Sequence, residues 1–338
     1  MSKKLAAFGE VMMRLQVPGY NLLSQSSTLS FSFSGTGVNV ASALARFGYD
    51  GFLVTRLPDN AVGDAAAAYL SQLGIARDFI VRGGQYVGMY FLENGFGVRP
   101  SRVTYTNRLD SSFNTAPEGS YDYESIAGQI DLIHFCGITL AMNDTVRQHM
   151  KRLAQAVRAK GGHVVFDCNY RPSLWGEGGY EKAKPHYEEM LELADLVIMN
   201  EKDAIHTLGM STVQQDRHQQ LAELIPAVAN RYGIQVIAGT HRSINGDNSH
   251  SLRGYLYKNQ TFTFSPTLTF SVYDRIGAGD AYTAGIVHGE LAGWEPEETV
   301  RFAAASSMLA HTTAGDTPMS SVSDIRRAMT ESVSDVQR

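Results

Sequence analysis

The residues with the clearest chemical potential are seven consecutive ones near the C-terminal end of the chain, Asp274-Arg275-Ile276-Gly277-Ala278-Gly279-Asp280. They lead into a segment whose apolar residues have helical spacing, so the glycines stand where a helix begins. Unpaired N–H groups at a helix start, helped by the helix dipole, bind an anion. An aspartate there would repel a bound phosphate, unless it accepts a proton from an attacking hydroxyl while the N–H groups hold the phosphoryl charge.

This segment therefore predicts a phosphoryl-transfer site in which Asp280 is the general base. Gly277, Ala278 and Gly279 are expected to hold the developing charge. The alternative is an ordinary tight turn before a helix, in which the acid only complements the helix dipole. Partner motifs elsewhere in the chain have to decide between the two interpretations.

Two polar motifs offer groups that would bind a small polar ligand. Gly35-Thr36-Gly37-Val38-Asn39 opens a helical pattern, where glycine permits a close approach and Asn39 offers a donor and an acceptor to hydroxyl groups. Arg171 follows an apolar run, where its guanidinium is placed to grip a carboxylate or a phosphate with two hydrogen bonds. A plain helix start and a surface arginine are the respective alternatives.

A third motif, Asn200-Glu201-Lys202-Asp203, ends one apolar run and begins a helical segment. Two acids and an amide beside a phosphate site suggest that this motif handles Mg²⁺ through water molecules, since Mg²⁺ keeps much of its hydration shell. The alternative is a helix cap with acids in its first turn. No Walker A sequence occurs in the chain, and the glycines at residues 35 and 37 do not complete a dinucleotide-binding fingerprint.

The elements that must position these motifs alternate regularly along the chain. Short apolar runs predict buried strands, and the segments between them carry apolar residues three and four apart, which predicts helices. Such alternation indicates an α/β fold with a mainly parallel sheet, whose sites lie where strands end and loops lead into helices. The predicted strands are Leu5–Gly9, Phe52–Leu57, Leu132–Cys136, Val164–Asp167, Leu196–Met199 and Val236–Ala238, and the predicted helices are Val38–Phe47, Ala61–Leu73, Thr145–Ala159, Tyr187–Leu193 and Leu221–Tyr232.

Two stretches, residues about 11–34 and 86–113, break this alternation. Both contain alternating polar and apolar residues, so they predict strands of a small second sheet inserted into the main domain. A small sheet that cannot bury both faces either caps a site or pairs with another subunit. The segment from Leu252 to Phe264 predicts a further hairpin with Lys258-Asn259 near its turn.

The composition excludes several classes of protein. Hydrophobic residues make up 43% and charged residues 19% of the 338 residues, so a sizeable core is expected and global disorder is excluded. The net charge is −5 and no Lys/Arg run exceeds two residues, which argues against a nucleic-acid partner. Two cysteines without metal spacing, no signal-peptide pattern and no apolar run long enough to span a membrane predict a cytoplasmic protein.

Taken together and in this order, Gly35…Asn39, Asn200…Asp203 and Asp274…Asp280 resemble the motifs of the ribokinase-like (PfkB) carbohydrate kinases. The resemblance extends from Gly9-Glu10 to about Ala328. It implies a three-layer α/β/α sandwich with a mainly parallel central sheet and a small β-sheet lid. It further implies one kinase domain over residues 1–330, with the lid strands inserted from about 11–34 and 86–113, followed by a frayed tail over 331–338.

Within that family the sequence is similar to the 2-keto-3-deoxygluconate kinases, through Gly88–Glu93, Arg99–Val103, Asp167–Trp175 and His311–Asp316. The resemblance implies transfer of a phosphoryl group from ATP to the primary hydroxyl of a sugar acid. It implies ATP and Mg²⁺ as cofactors. It also implies activation by a monovalent cation, which the residues themselves do not indicate. A carboxylate substrate also needs a cationic partner, which Arg171 is expected to supply with help from Arg108, whereas a neutral hexose needs none.

The resemblance also implies a set of site residues. Those expected to bind the sugar acid are Gly35, Asn39, Tyr90, Tyr105, Arg108, Arg171 and Asp280. Those expected to bind ATP are Asn200, Gly239, Thr240, Arg242, Gly277, Gly279 and Ala304, with the adenine near a helix over residues 303–309. Asp203, which stands in place of the glutamate of the family's N-x-x-E motif, and Asp274 are expected to act on the metal indirectly, through water or loop order.

Two other functions stay open at this point. One is another sugar kinase of the same family, such as a fructokinase. The other is a sugar-binding regulatory protein that has the fold without the activity, against which the intact glycine loop and Asp280 argue. Self-association through the lid strands into a homo-oligomer is also expected.

Overall fold

The computed structural model describes residues 2–330, and the predicted frayed tail at 331–338 lies outside the described residues. The strands of the described part, in chain order, are β1 (Lys4–Phe8), β2 (Met12–Gln16), β3 (Ser30–Ser34), β4 (Asp50–Leu57), β5 (Ile75–Ala76), β6 (Ile80–Arg82), β7 (Gly88–Glu93), β8 (Arg102–Thr106), β9 (Leu132–Cys136), β10 (His163–Asp167), β11 (Leu196–Ile198), β12 (Val236–Ile244), β13 (His250–Lys258), β14 (Thr261–Phe264) and β15 (Leu268–Phe270).

The α-helices of the same part are α1 (Thr36–Arg46), α2 (Ala61–Gln72), α3 (Tyr123–Ala127), α4 (Gly137–Leu140), α5 (Asp144–Ala159), α6 (Pro172–Trp175), α7 (Gly179–Leu191), α8 (Arg217–Tyr232), α9 (Ala278–Ala292), α10 (Pro296–Ala310) and α11 (Val322–Ala328). A π turn spans Asp203–Thr207. Every strand and helix that the apolar spacing predicts is present, with bounds that differ by at most two residues in most cases. The exceptions are α7 and α8, which begin eight and four residues earlier than predicted, and β12, which ends six residues later.

The large sheet is parallel through its centre, as predicted. Its strands follow the order β14-β13-β12-β11-β10-β9-β1-β4-β5, with β15 paired to β13 and β6 paired to β4. The pairs from β12 to β5 are parallel, and β13 pairs antiparallel with both β12 and β14. The hairpin predicted between Leu252 and Phe264 is therefore confirmed as β13 and β14. Because the central strands share one direction, their carboxyl ends collect the site loops at a single edge.

The two stretches that break the alternation form the small second sheet, in the order β3-β2-β7-β8. Strands β2 and β7 are parallel, and the other two pairs are antiparallel. We call this sheet the lid. Its β2 and β3 lie between β1 and α1 in sequence, so the lid is connected directly to the carboxyl end of a central strand.

Helix α9, which follows the glycine loop, is buried along most of its length between α1 and α10. Its small residues explain the close packing: a Cβ at Gly285 would lie 2.6 Å from the Cα of Ala303 in α10. A helix this enclosed cannot shift easily, because protein interiors are close-packed. The first turn of α9, which carries Asp280, is therefore held in place by the core.

Within residues 2–330, none of the helices combines the length and the hydropathy that crossing a membrane requires. Both cysteines, Cys136 and Cys168, are buried and free.

Candidate active site

Two cavities meet at the carboxyl edge of the central sheet. The first, about 570 Å³, lies between the lid and the start of α9. The second, about 540 Å³, lies over the ends of β10, β11 and β12. Asn169, Arg171 and Gly279 line both, so the cavities are adjacent at the glycine loop. Two neighbouring cavities with a helix N-terminus between them suit a reaction that brings two substrates together.

Asp280 lines the first cavity from the first turn of α9 and is 5% exposed. Its Oδ2 accepts a hydrogen bond of 2.7 Å from Nδ2 of Asn39. Burial raises the pKa of Asp280 well above its usual range, with Asp167 and Asp316 acting in the same direction, whereas Asn39 and Arg171 lower it. Burial of this kind is how a carboxyl group becomes a stronger base.

Asn39 was expected to bind substrate hydroxyls through both ends of its amide. The structure places it in the first cavity, but its donor is used on Asp280. Its Oδ1 is buried and has no hydrogen-bond partner among the described residues. The amide therefore orients the Asp280 carboxylate and keeps one acceptor free.

The glycine loop has the geometry that the sequence predicts. Gly277 is the N-cap of α9 with a left-handed backbone (φ +81°), a conformation that costs other residues energy. A Cβ at Gly277 would lie 1.7 Å from the carbonyl oxygen of Asp316, whereas a Cβ at Gly279 would meet open space. Gly277 is thus required by the fold, and Gly279 leaves the helix N-terminus open to a ligand.

This difference predicts opposite outcomes for two matched variants. Gly277→Ala is expected to lower the free energy of unfolding by at least about 1–2 kcal/mol from the left-handed backbone alone, because the clash with Asp316 adds to it. Gly279→Ala is expected to fold with nearly wild-type stability but to lose activity, because its methyl group would occupy the space beside the N–H groups. Urea unfolding and initial rates of both variants check this, and a stable Gly277→Ala protein would contradict it.

Asp274 orders the loop and lines neither of these two cavities. Its Oδ1 accepts hydrogen bonds from the N–H groups of Arg275 (2.7 Å) and Ile276 (3.2 Å). Its Oδ2 accepts from Arg14 Nη2 at 3.0 Å and from the Gly315 N–H at 3.3 Å. Of the two indirect roles expected for Asp274, loop order is the one these contacts support.

A buried network on this side of the cavity was missed by the sequence reasoning. Arg14 of β2 forms ion pairs with Asp274 and with Asp316, and the Tyr90 hydroxyl donates to Asp316 and lies 2.9 Å from Ser34 Oγ. Tyr90 and Asp316 both line the first cavity. The resemblance implies a substrate-binding role for Tyr90 but not for Asp316. Arg14 gives no sequence signal, since an arginine in a short alternating strand reads as an outward-facing residue.

Arg108 and Tyr105 both line the first cavity, so the lid contributes the pair that the resemblance implies. Arg108 Nε donates to Glu10 Oε2 at 2.9 Å, and its guanidinium lies 4.7 Å from the centre of the Tyr105 ring. Its Nη1 is buried without a hydrogen-bond partner among the described residues. A buried cationic donor without a partner is unfavourable unless a ligand completes it.

Arg171 lies at the junction of the two cavities, on the loop after β10. Among the described residues, the only hydrogen bond of its side chain runs from Nη1 to the carbonyl of Tyr170, at 3.3 Å. Arg242, which is expected to bind the nucleotide, lines the first cavity together with Arg275. Its Nη1 lies 2.7 Å from Nδ1 of His250. Burial and the nearby Arg275 lower the pKa of Arg242.

The second cavity contains most residues expected to bind the nucleotide. Asn200, Asp203, Gly239 and Thr240 line it, with Gly279 at its inner end. Burial raises the pKa of Asp203 to about 6 and that of Asp167, which also lines this cavity, to about 7. Two carboxyl groups in a buried place attract a cation, because ionisation is costly there without one.

Residues 2–330 contain no cluster of three or more metal-ligating acids, histidines or cysteines. A divalent cation at the second cavity would therefore need ligands besides the protein. This suits Mg²⁺, which is commonly held by one or two carboxylates together with substrate phosphates and water. Asp203 and Asp167 fit that use.

Glu201 lies beside these residues but is occupied elsewhere. Its carboxylate, fully buried, bonds to Arg217 Nε at 2.6 Å and to His241 Nε2 at 2.8 Å. Burial opposes ionisation, but these two partners outweigh it and lower the pKa of Glu201 to about 2. Of the two acids in the motif, only Asp203 is therefore open to the cavity.

Of the expected site residues, Ala278 and Asp274 line neither cavity but belong to the glycine loop, whereas Ala304 lies away from that loop. It lies in α10, is fully buried and lines neither cavity. The helical segment expected near the adenine faces the core at this position, because α10 packs tightly on α9.

Comparison with known proteins identifies the family of this chain. The sequence matches the pfkB family of carbohydrate kinases over residues 2–322. A 2-dehydro-3-deoxygalactonokinase of Haloferax volcanii is 25% identical over 97% of each chain.

Two solved structures of kinases share a higher sequence identity with this chain. The crystal structure of a 2-dehydro-3-deoxygluconokinase from Thermotoga maritima superposes with a TM-score of 0.93 at 32% identity, over 98% of this chain and 99% of that one. A candidate 2-keto-3-deoxygluconate kinase from Enterococcus faecalis superposes with a TM-score of 0.95 at 37% identity, over 100% and 99% of the two chains. The ribokinase-like fold is thereby confirmed.

Proposed function

The chain belongs to the PfkB family of carbohydrate kinases, and from this membership and the charges of its first cavity we propose that it phosphorylates a sugar acid. The proposed reaction transfers the γ-phosphoryl group of ATP to the primary hydroxyl of 2-keto-3-deoxygluconate, giving the 6-phosphate. The relatives and structural neighbours named for deoxygluconate and deoxygalactonate phosphorylation support this substrate class.

The observation that carries the proposal is Arg108, which lines the cavity that also holds Asp280 and whose buried Nη1 has no hydrogen-bond partner among the described residues. A neutral sugar would leave this buried donor with no charged acceptor. A substrate carboxylate completes it with a charge-assisted hydrogen bond. Arg171, at the inner end of the same cavity, supplies a second cation near the transferring group.

In the proposed mechanism, Asp280 accepts the proton of the primary hydroxyl as that oxygen attacks the phosphorus. Asn39 holds the carboxylate in position through its 2.7 Å hydrogen bond. The N–H groups of Ala278 and Gly279, at the start of α9, donate to the developing charge on the phosphoryl oxygens. Arg171 lies where both cavities meet and adds to this stabilisation.

The triphosphate is proposed to lie in the second cavity, along Gly239, Thr240 and Asn200. Mg²⁺ bound there would neutralise phosphate charge, held by Asp203 and Asp167. A monovalent cation, which the resemblance implies, stays a prediction.

A coupled assay of ADP release tests the function directly. The panel consists of 2-keto-3-deoxygluconate, its galacto epimer, fructose, ribose and tagatose. We expect the highest kcat/KM with one or both sugar acids, because only they carry a carboxylate that accepts a hydrogen bond from Arg108. Higher kcat/KM with fructose would favour the fructokinase alternative, and sugar binding without ADP release from any member would favour a regulatory protein.

We also propose self-association through the lid. Phe31, on the outer lid strand β3, is 64% exposed, and Leu29 before this strand and Val103 on the opposite outer strand β8 are exposed as well. The outer strands β3 and β8 have an unpaired edge among the described residues, and such edges pair readily with another chain. Light scattering is expected to give a multiple of the 338-residue mass, and Phe31→Lys is expected to reduce it. A cytoplasmic location remains a prediction from the sequence.

A further inference from the structure

Arg14 is the largest of the side chains that are almost completely buried, at 2% exposure. It lies at the middle of lid strand β2, opposite Ser32 of β3 and Tyr90 of β7. Its ion-pair partners, Asp274 and Asp316, are 260 and 302 residues away in sequence. Its Nη2 also donates to Gln16 at 2.6 Å.

The two carboxylates that Arg14 joins belong to different walls of the site. Asp274 holds the glycine loop through the N–H groups of Arg275 and Ile276. Asp316 lines the first cavity, accepts the Tyr90 hydroxyl bond, and packs its backbone directly against Gly277. One guanidinium therefore connects the lid, the loop that starts α9, and the segment after α10.

The charges make this connection difficult to replace. Burial alone would lower the pKa of Arg14, but Asp316, Tyr90 and Asp274 outweigh it and raise the pKa. Removing the guanidinium would leave two buried carboxylates without their cation. Such groups either take up protons or move toward water, and either response changes the positions of Asp274 and Asp316.

We propose that Arg14 is a positioning residue that couples the lid to the phosphoryl-binding loop, so that the acceptor hydroxyl and the phosphoryl group are held at reacting distance. The inference rests on the proposed function for the identity of the two substrates. It assigns Arg14 no contact with either of them. Its effect passes through Asp274 on the loop and through Asp316 on the cavity wall.

The first test compares Arg14→Ala and Arg14→Lys with the wild type. A displacement of about 1 Å at a reacting centre costs about a hundredfold in rate, so Arg14→Ala is expected to lower kcat about a hundredfold, with a smaller change in the KM for ATP. Arg14→Lys keeps the charge without the planar fork, so intermediate activity is expected. Guanidinium chloride at low millimolar concentration is expected to restore part of the activity of Arg14→Ala and to leave the wild type unaffected.

The second test is a double-mutant cycle with Asp274→Asn. If Arg14 acts through Asp274, the double variant is expected to be much less impaired than the two single losses multiplied together. Arg301→Ala, on the exposed side of α10, is the matched control and is expected to behave as the wild type in both tests. Thermal unfolding of each variant reports how much of any change is loss of fold.

Three results would overturn the inference. The first is a kcat of Arg14→Ala within about threefold of wild type, because misplacement of the reacting groups is expected to lower it about a hundredfold. The second is a double variant whose loss of kcat equals the product of the two single losses. The third is a lowered Tm in both Arg14 variants with an unchanged kcat per folded molecule. The wild-type panel is run first. Should it identify a neutral sugar as acceptor, the proposed substrate fails, and the same Arg14 tests run with that sugar still decide the coupling.

Discussion

Asp280→Asn is expected to lower kcat by about two to four orders of magnitude, the usual contribution of a general base. The amide keeps the size of the carboxyl group and its place beside Asn39, but it cannot accept the proton of the attacking hydroxyl. The KM for ATP is expected to change little, because the nucleotide is proposed to lie in the second cavity. Initial rates with varied sugar acid and varied ATP measure both quantities.

The fold is expected to survive this substitution. Burial raises the pKa of Asp280 well above its usual range, so the ionised carboxylate costs stability at neutral pH and its removal does not lower the Tm. Asp144→Asn makes the same change at an exposed side chain in the first turn of α5 and serves as the control. Turnover within about tenfold of wild type, below the range of general-base catalysis, would contradict the role of Asp280 as the base.

The same group fixes the sign of the pH dependence. The reaction needs the ionised carboxylate, and the pKa of Asp280 is raised, so kcat/KM is expected to fall as the pH is lowered toward and below that pKa. This acid limb is expected to be absent from the residual activity of Asp280→Asn. An unchanged acid limb in the variant would assign the titration to another group.

Arg108→Gln is expected to raise the KM for the sugar acid about 10- to 100-fold, the worth of a hydrogen bond to a charged group. Arg108 lines the first cavity and not the second, and its buried Nη1 has no hydrogen-bond partner within residues 2–330. The KM for ATP is therefore expected to remain within about twofold, since ATP makes no charge-assisted bond to this group. Steady-state kinetics with each substrate varied in turn separate the two effects.

Two other arginines provide the comparison. Arg171→Gln is expected to impair the use of both substrates, because Arg171 lines both cavities. Arg102→Gln, on the exposed part of lid strand β8, is expected to leave both KM values unchanged. A larger effect of Arg171→Gln than of Arg108→Gln on the sugar acid alone would move the carboxylate partner to Arg171.

The sequence alone predicted most of the main elements and the position of the reacting loop. Strands and helices follow from local apolar spacing, and the Gly277-Ala278-Gly279-Asp280 turn follows from the unpaired N–H groups of any helix start. The edge at which Arg171, Asn200 and Asp203 meet also follows from local patterns, since the carboxyl ends of parallel strands lie together. All of these are properties of contiguous segments.

The partners of each side chain were decided only by the tertiary structure. The pairing of Arg14 with Asp274 and Asp316 joins residues more than 250 positions apart. The donation from Asn39 to Asp280 and the diversion of Glu201 to Arg217 and His241 also cross the chain. A sequence records which charges are present, whereas their pairing depends on which groups share a buried space after folding. Burial and pairing determine the free energy of keeping each group ionised in the folded protein. They therefore determine which charged groups remain available to bind substrate.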